Sequence, residues 1–418
     1  MDTRSVPGSA VTDAELKALE AAIGLDEPAY LSDLARLVNI DCGSYTPAGV
    51  DEVGRFVASF MTDHGATVEV RPDPAGTRGS TVVGSWDGPA GTAGGPRALL
   101  IGHMDTVFDP GTAAERPFAI DADGIARGPG VTDMKSGLLA GLYALKTLMA
   151  ASPLPFERLT YIANPDEEIG SPSSTPHIRE IAADSDVCLV LECARANGDI
   201  VSSRKGILDA RITLHGRAAH AGVEPEKGRS AILAAADLVT RLHALNGRWD
   251  GVTINVGVIA GGTRPNVVGE RCSLEVDIRA IRRADLEAAE AEIRSMLGAL
   301  AVPDVTAELE PMARWWPMEK LVRSGRLVEH AQAIALRLGF DLRDAATGGA
   351  SDAYTTSGMG VASIDGLGPI GGMDHSPAEY LEVASIVPRT ALLAGLLLAI
   401  GRDPVVAEWR AAGPAPVS

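Results

Sequence analysis

Three short apolar segments in the first half of the chain each end abruptly in polar residues that can bind a metal ion. Segments of four or five residues with β-branched or aromatic members favour buried strands over helices. The sequence therefore predicts three buried strands with chemically active residues at their ends. The segments and the residues that follow them are 98–101 before His103 and Asp105, 159–163 before Glu167 and Glu168, and 187–191 before Glu192.

A helical pattern separates the first two of these strands. Apolar residues recur from Met134 to Met149 with the 3.6-residue period of a helix. A strand, helix, strand succession implies parallel pairing through right-handed crossovers, so the three strands should point the same way. Their polar ends would then meet at the carboxyl edge of the sheet, where open α/β sheets place their sites. We expect an α/β fold with a mostly parallel sheet flanked by helices.

The pattern changes near residue 205, where apolar and polar side chains begin to alternate strictly. Strict alternation indicates a sheet with one solvent-exposed face. The expected elements give the order β-α-β-β-α-β, which is the ferredoxin-like arrangement. We predict an inserted ferredoxin-like α+β domain at 205–316 within an α/β domain formed by 1–204 and 317–418. The inserted elements are strand 208–214, helix 230–245, strand 252–259, strand 272–279, helix 284–300 and strand 305–309.

The chain is acidic, with 37 Lys and Arg against 55 Asp and Glu and a formal net charge of −18. Such a charge repels nucleic acid and anionic membranes.

The apolar stretch 391–400 is half the length of a membrane span, and residues 1–24 predict a tail leading into a surface helix rather than a signal peptide. Four cysteines without a C-x-x-C pair indicate reduced thiols. We expect a cytoplasmic protein that binds neither nucleic acid nor membranes.

Two His and three acidic residues, each at an expected strand end, helix start or loop, form a candidate metal site. Imidazole and carboxylate donors without Cys are a mixed set suited to two Zn²⁺-like ions bridged by a carboxylate. Single members also have ordinary interpretations, since Asp133 would suit the N-cap of its helix and His375 a polar turn. The five residues are His103, Asp133, Glu168, Glu192 and His375.

Two further acids lie beside these candidate ligands. In an extended His-x-Asp segment both side chains leave the same face, so Asp105 can orient the imidazole of His103. Glu167 precedes Glu168, and if Glu168 binds a metal, Glu167 is free to take a proton from water as a general base.

Five motifs occur in a fixed order between about residues 30 and 400: G-H-x-D-T-V, G-P-G-x-x-D-x-K-x-G, D-E-E-x-G-S, A-x-H-A-G and D-H-S-x-x-E. Their order and content resemble the co-catalytic zinc metallopeptidase family. That family includes bacterial glutamate carboxypeptidase, acetylornithine deacetylase, succinyl-diaminopimelate desuccinylase and the aminoacylases. The chain looks most similar to the glutamate carboxypeptidase branch. The resemblance implies a zinc-exopeptidase-like fold whose inserted domain forms a homodimer.

The resemblance also implies roles for the metal-site residues. Two Zn²⁺ per chain are expected, with Co²⁺ or Mn²⁺ as possible substitutes. Asp133 would bridge the two ions, Asp105 would orient His103, and Glu167 would be the general base and acid. The remaining ligands would divide into His103 and Glu192 for one ion, and Glu168 and His375 for the other.

Four residues match positions that contact substrate in the family, and Arg314 is a further candidate source of positive charge for an anionic substrate. The resemblance makes His220 an oxyanion-stabilising donor that reaches a neighbouring active site, although a histidine in a loop is also an ordinary turn residue. Arg279 and Asn266 match positions that hold a free carboxylate, and a guanidinium suits a carboxylate in geometry and charge. Arg314 would add positive charge, and the loop containing Gly349 would offer backbone amides.

The expected function is hydrolysis of an amide bond next to a free carboxylate, in a short peptide or an N-acyl amino acid. In the family, Glu at the position of Glu192 goes with carboxypeptidases and deacylases. The loop after Glu192 lacks the Lys of the glutamate-specific enzyme, and Ala350 replaces a Gly, which argues against a strict glutamate preference. An N-acyl amino acid deacylase, an aminoacylase or a dipeptidase is the alternative. A non-catalytic, metal-free homologue is a remote one, since such a protein needs no base beside its ligands.

Overall fold

The computed structural model describes residues 6–89 and 92–409. Contacts divide the chain into two compact units. The first, called the larger unit, runs up to Ser202 and resumes at Lys320. The second, called the inserted unit, is Ser203–Glu319. From the sequence we place the two boundaries at 204/205 and 316/317.

The described residues form sixteen strands, most of them short. In chain order they are β1 (Thr67–Arg71), β2 (Thr81–Asp87), β3 (Arg97–His103), β4 (Ala119–Ile120), β5 (Ile125–Arg127), β6 (Arg158–Asn164), β7 (Val187–Val190), β8 (Ile200–Arg204), β9 (Gly206–His215), β10 (Thr253–Gly261), β11 (Arg271–Ala280), β12 (Thr306–Trp315), β13 (Asp344–Thr347), β14 (Ala362–Ile364), β15 (Gly371–Gly372) and β16 (Tyr380–Glu382).

The same residues form eleven α-helices. In chain order they are α1 (Asp13–Val38), α2 (Pro47–Asp63), α3 (Thr112–Glu115), α4 (Ser136–Ala151), α5 (Thr175–Ala182), α6 (Ala231–His243), α7 (Arg283–Leu297), α8 (Val322–Arg337), α9 (Ala353–Gly358), α10 (Ile386–Gly401) and α11 (Pro404–Ala407).

A six-stranded sheet forms the centre of the larger unit, in the order β1-β2-β6-β3-β7-β14. Strand β3 runs parallel to both β6 and β7, and β14 runs parallel to β7. The expected parallel arrangement of the three buried strands is confirmed, and with it the mostly parallel α/β sheet. The register sets His103 beside Asn164, so β3 and β6 end at the same edge. Strands β1 and β2, which the sequence patterns did not predict, extend the sheet by antiparallel pairing.

Helix α4 is buried on almost every side, and it begins two residues after the expected start at Met134. Twelve of its 16 residues are buried. Gly137 permits the closest approach, because a Cβ there would lie 1.8 Å from the carbonyl oxygen of Leu191. The helix therefore packs directly against the chain segment that leads into Glu192.

The C-terminal apolar segment is longer than 391–400. Val383–Gly401 is long and apolar enough to cross a membrane by length and composition alone, so the shorter estimate from the sequence was wrong. In the described structure, 78% of its 18-residue apolar window is buried within the protein. Helix α10 packs against α1, α4 and α8, so its apolar surface is used in the core.

Helix α1 is a surface helix, as expected, and it packs one apolar face on the core: seven of its 26 residues are buried and the others are half-buried or exposed. Its buried side chains include Leu16, Leu19 and Ile23. The hydroxyl of Tyr30 donates a hydrogen bond of 2.5 Å to the carbonyl of Ser136, at the first turn of α4. A capping box between Thr12 and Glu15 fixes where the helix begins.

The inserted unit is a four-stranded antiparallel sheet in the order β10-β11-β9-β12, with α6 and α7 packed on one face. The β-α-β-β-α-β order is the ferredoxin-like arrangement predicted from the sequence. Strand β11 alternates as expected, with Cys272, Leu274, Val276 and Ile278 buried. Strand β9 departs at Thr213, which is buried rather than exposed.

Candidate metal centre and active site

The larger unit gathers the candidate metal ligands at the carboxyl edge of its parallel strands. His103 is the last residue of β3, and Glu168 lies in the short turn Glu167–Ile169 that follows β6. Glu192 follows β7 by two residues. Asp133 lies in the turn Val131–Lys135 before α4, and His375 lies in the loop between β15 and β16.

These five residues form two imidazole and carboxylate groups that share Asp133. In one group, His103 Nε2 lies 3.1 Å from Asp133 Oδ1 and 3.7 Å from Glu192 Oε1. In the other, His375 Nε2 lies 3.1 Å from Asp133 Oδ2 and 3.1 Å from Glu168 Oε2. Each oxygen of Asp133 therefore belongs to a different group.

The donor set and its spacing fit metal ions. Ligand atoms about 2.0–2.2 Å from a tetrahedral zinc ion lie about 3.3–3.6 Å from one another, close to the nitrogen to oxygen distances of 3.1–3.7 Å in the two groups. Ligand atoms of His103, Asp133 and Glu168 all lie within 4.8 Å of one another, and so do those of His103, Glu167 and Glu192. Proximity alone would thus admit Glu167 as a ligand too.

The side chain of Asp105 connects the group around His103 to the turn that carries Glu167 and Glu168. Its side chain accepts hydrogen bonds from the hydroxyl of Ser44 at 2.6 Å and from the backbone N–H groups of Glu167 and Glu168 at 3.1 and 3.2 Å. The Nδ1 atom of His103 lies 3.0 Å from the Asp105 carbonyl oxygen and 3.4 Å from its carboxylate. A proton on Nδ1 leaves Nε2 with a lone pair for a metal.

The imidazoles and carboxylates of the two groups shift one another's pKa values towards the charged forms. Burial alone would lower the pKa of His103, but hydrogen bonds to Asp105 and Asp133 outweigh it and raise that pKa well above its ordinary value. Asp133 and Glu168 raise the pKa of His375 to about 11. Burial works to raise the pKa of Asp133, yet the two imidazoles hold it below its ordinary value. Asp133 is thus an anion that both imidazoles stabilise.

The pKa of Glu167 is raised, in contrast to that of Asp133. Burial is the first cause of a pKa well above the ordinary value of a carboxyl group, and the nearby acids Asp352, Glu168 and Asp133 add to it. A carboxyl group with a raised pKa can both accept and return a proton near neutral pH. The surroundings of Glu167 therefore suit proton transfer.

Asp133 does not cap α4, although the sequence left that interpretation open. The N-cap position belongs to Lys135, and Asp133 has extended backbone angles of φ −112° and ψ 96° in the preceding turn. The carboxylate of Asp133 is engaged by the two imidazoles instead.

Two supporting residues were not assigned a role from the sequence. Glu379 accepts hydrogen bonds from the backbone N–H groups of Gly130, Thr132 and Asp133. It is the last residue of the D-H-S-x-x-E motif, which is a signal that could have found it. Ser44, which donates to Asp105, lies in a loop where no sequence pattern marks it.

Gly349 lies in the exposed turn after β13, in the larger unit. Its carbonyl oxygen accepts a hydrogen bond of 3.0 Å from the hydroxyl of Tyr354, and the hydroxyl of Ser351 accepts one from the N–H of Ala353, the first residue of α9. Asp352, in the same turn, accepts from Asn164 at 2.7 Å and from Ser171 at 2.5 Å. The turn is thereby tied to the residues on either side of Glu167 and Glu168.

The inserted unit carries the other predicted substrate residues, and it brings two of them together. His220 pairs with Val267, and the N–H of Ala221 donates to the carbonyl of Asn266 at 3.0 Å. Both His220 and Asn266 are exposed. The Nδ1 atom of His220 accepts the N–H of Gly222 at 3.1 Å, so a neutral imidazole carries its proton on the outward Nε2.

Arg279 and Arg314 lie on opposite faces of the inserted sheet. Arg279 is on the face away from the helices, where its guanidinium contacts Asp277 at 3.0 Å. Arg314 faces α7, contacts Glu290 at 2.5 Å and stacks 5.0 Å from the ring centre of Trp316. Both guanidinium groups are therefore held in ion pairs within the inserted unit.

A cluster of imidazoles and carboxylates at the carboxyl edge of a parallel sheet, with an acid of raised pKa beside it, defines a metal-dependent hydrolase. The model of peptidase family M20/M25/M40 matches residues 99–399. The chain belongs to this family and is a hydrolytic metalloenzyme.

Known relatives cover nearly the whole chain. Carboxypeptidase G2 from Pseudomonas sp. is 30% identical over 403 residues, which are 96% of each protein. Acetylornithine deacetylase from Edwardsiella ictaluri is 27% identical, covering 82% of this chain and 88% of the relative. The crystal structure of aminopeptidase PepT from Bacillus cereus superposes with a TM-score of 0.76 at 23% identity, covering 90% of this chain and 99% of that one. This last likeness establishes the fold.

Replacement of the shared carboxylate tests the metal centre. We expect Asp133→Asn to lower metal affinity at least about tenfold, because loss of a ligand should cost no less than loss of an outer partner. Elemental analysis and competition with a chromophoric chelator measure the change. Asp123→Asn, at an exposed turn, is the control. Equal metal binding by both variants would exclude Asp133 as a ligand.

Proposed function

We propose that this enzyme hydrolyses an amide bond next to a free carboxylate, releasing the C-terminal amino acid of a short peptide or of an N-acyl amino acid. The observation that carries the proposal is the pair of imidazole and carboxylate groups sharing Asp133, with Glu167 buried beside them. The 96% coverage by carboxypeptidase G2 supports the carboxypeptidase assignment. We also propose a cytoplasmic location, in keeping with four unpaired cysteines.

Two Zn²⁺ ions per chain are the proposed complement, with Co²⁺ or Mn²⁺ as substitutes. Asp133 would contact both ions, as its two oxygens face different imidazoles. His103 and Glu192 would complete one site, and His375 and Glu168 the other. Such ions would polarise the scissile carbonyl and make a neighbouring water more acidic.

Glu167 would carry the proton through the reaction. Its carboxylate takes a proton from the attacking water, and the resulting acid donates that proton to the leaving nitrogen when the C–N bond breaks. The raised pKa of Glu167 suits this exchange, because the group must hold the proton between the two steps. Asp105, which accepts the N–H of Glu167, fixes the turn that presents the carboxyl group.

We assign substrate contacts to three polar residues of the inserted unit and to one turn of the larger unit. His220 would donate from Nε2 to the oxyanion in the active site of a partner protomer. Arg279 and Asn266 would bind the free carboxylate of the substrate, and the turn that contains Gly349 would offer backbone amides. Arg314 remains a candidate source of positive charge, and it contacts Glu290 as Arg279 contacts Asp277.

An N-acyl amino acid deacylase is the second candidate. Relatives named acetylornithine deacetylase and succinyl-diaminopimelate desuccinylase match 82% and 77% of the chain. Both candidates cleave an amide through the same ligands and base, and they differ in the acyl group they accept. A non-catalytic homologue is disfavoured by Glu167, since a binding protein needs no proton acceptor there.

The inserted unit is the proposed dimer interface. Strand β10 is an edge of its sheet and pairs only with β11 among the described residues. Exposed apolar side chains lie along this edge, namely Ile232 and Leu233 on α6 and Ile259 on β10. An edge strand with apolar neighbours is suited to pairing with a second copy of itself.

Glu167→Gln tests the base. We expect kcat to fall by about three orders of magnitude, because the amide cannot accept the proton of water. Metal content should stay unchanged, which separates the base from a ligand role. Glu52→Gln, at an exposed position, controls for the loss of one charge. Turnover by Glu167→Gln at the parent rate would refute the assignment.

Carboxylate recognition is tested with matched substrates and a matched arginine. The parent should cleave peptides and N-acyl amino acids with a free carboxylate and lose most of its kcat/KM on their C-terminal amides. Arg279→Ala should raise KM about tenfold or more, since a charged hydrogen-bonded pair is lost. Arg211→Ala is the control, because Arg211 lies on the same sheet face and pairs with Glu275. Equal activity of the parent on the C-terminal amides would overturn carboxylate recognition. The acyl group that the parent prefers distinguishes a carboxypeptidase from an N-acyl amino acid deacylase.

Dimerisation is tested at the edge strand. Ile259→Asp should shift a dimer towards monomer in sedimentation equilibrium, because it buries a charge at the interface. Met312→Asp is the control on the opposite edge strand, where Met312 is 49% exposed and Ile259 is 53% exposed. A parent protein that sediments as a monomer would contradict the proposed interface.

A further inference from the structure

Two of the candidate ligands lie on loops rather than at strand ends. Asp133 is in the turn Val131–Lys135, and His375 is in the loop between β15 and β16. Loops are the parts of a fold whose positions depend most on individual long-range contacts. The spacing of 3.1 Å between His375 Nε2 and Asp133 Oδ2 therefore needs something that fixes one loop to the other.

Glu379 supplies such a connection. It follows His375 by four residues and is 1% exposed. One oxygen accepts the N–H of Gly130 at 2.9 Å, and the other accepts those of Thr132 at 2.8 Å and Asp133 at 3.1 Å. Successive N–H groups that converge on one point form an anion-binding concavity. Here a carboxylate of the same chain fills it.

Close packing strengthens the same junction. A Cβ on Gly371 would lie 2.1 Å from the hydroxyl oxygen of Thr132, so only glycine allows the two loops to touch there. Beyond Glu379, Tyr380 pairs with Arg127 as β16 joins β5. The loop that carries His375 is thus anchored on both sides against the segment that carries Asp133.

We propose that Glu379 is a positioning residue that holds the backbone of Asp133 so that its two oxygens face His103 and His375. This inference rests on the proposed metal site. Glu379 itself touches neither substrate nor metal, and acts through the three backbone N–H groups. Its loss would let the turn relax and move the shared ligand away from one or both imidazoles.

Cobalt binding to the folded, full-length protein tests the proposal. Glu379→Gln keeps the size of the side chain, but its amide nitrogen is a donor and cannot accept an N–H. Co²⁺ affinity is measured by competition with a chromophoric chelator, and the visible absorption of bound Co²⁺ reports ligand geometry. We expect affinity to fall about 10–100-fold with a changed spectrum, and a larger loss for Glu379→Ala. In activity assays kcat should fall while KM stays within about twofold.

Asp73→Asn is the matched control. Asp73 also accepts three backbone N–H groups, from Ala75, Thr77 and Arg78, in an exposed surface turn. This variant should keep the parent's Co²⁺ affinity and spectrum. Parent-like affinity and spectrum in Glu379→Gln would overturn the positioning role while leaving the metal site intact. Failure of the parent itself to bind Co²⁺ would instead overturn the proposed function.

Discussion

The carboxylate of Asp133 lies between two imidazoles, and the arrangement of the whole site depends on that shared contact. Each oxygen is 3.1 Å from one histidine nitrogen, so a small shift of Asp133 would change both groups at once. The imidazoles hold Asp133 as an anion although burial opposes its charge. Burial is the first cause of the raised pKa of Glu167 and of Glu168 nearby, and the same anion adds to both shifts. One carboxylate thus links the candidate ligands to the candidate base.

The fold supplies the surrounding groups in two ways. Parallel strands deliver His103, Glu168 and Glu192 to one edge, because β3, β6 and β7 run in the same direction with fixed register. The two loop residues, Asp133 and His375, are positioned by side chains instead. Glu379 binds the backbone of one loop from the other, and Asp105 binds the turn that carries Glu167. The strands therefore bring the ligands to one edge of the sheet, and the buried carboxylates of Glu379 and Asp105 fix the positions of the loop and turn residues.

The acidic residues determine both the net charge of the whole chain and the charge of the candidate site. The net charge of −18 repels polyanions. Within the site, four acidic residues surround two histidines: Asp133, Glu167, Glu168 and Glu192. Burial raises the pKa of Glu167 and Glu192, which shows that these carboxylates lack enough positive charge around them. Dications would supply it, in keeping with the proposed substrate, which carries a free carboxylate.

The sequence alone determined the parallel strands, the ferredoxin-like insertion and the residue types of the site, because hydrophobic period and motif content are local properties. It did not determine that α10 lies in the core, since burial depends on what packs against a helix. It could not decide between an N-cap and a shared ligand for Asp133, or show that Arg314 faces α7 and Arg279 does not. Those outcomes, and the three N–H groups that converge on Glu379, arise from contacts between residues up to 249 positions apart. Only the tertiary structure decides them, because backbone direction and long-range packing are not encoded in any short segment.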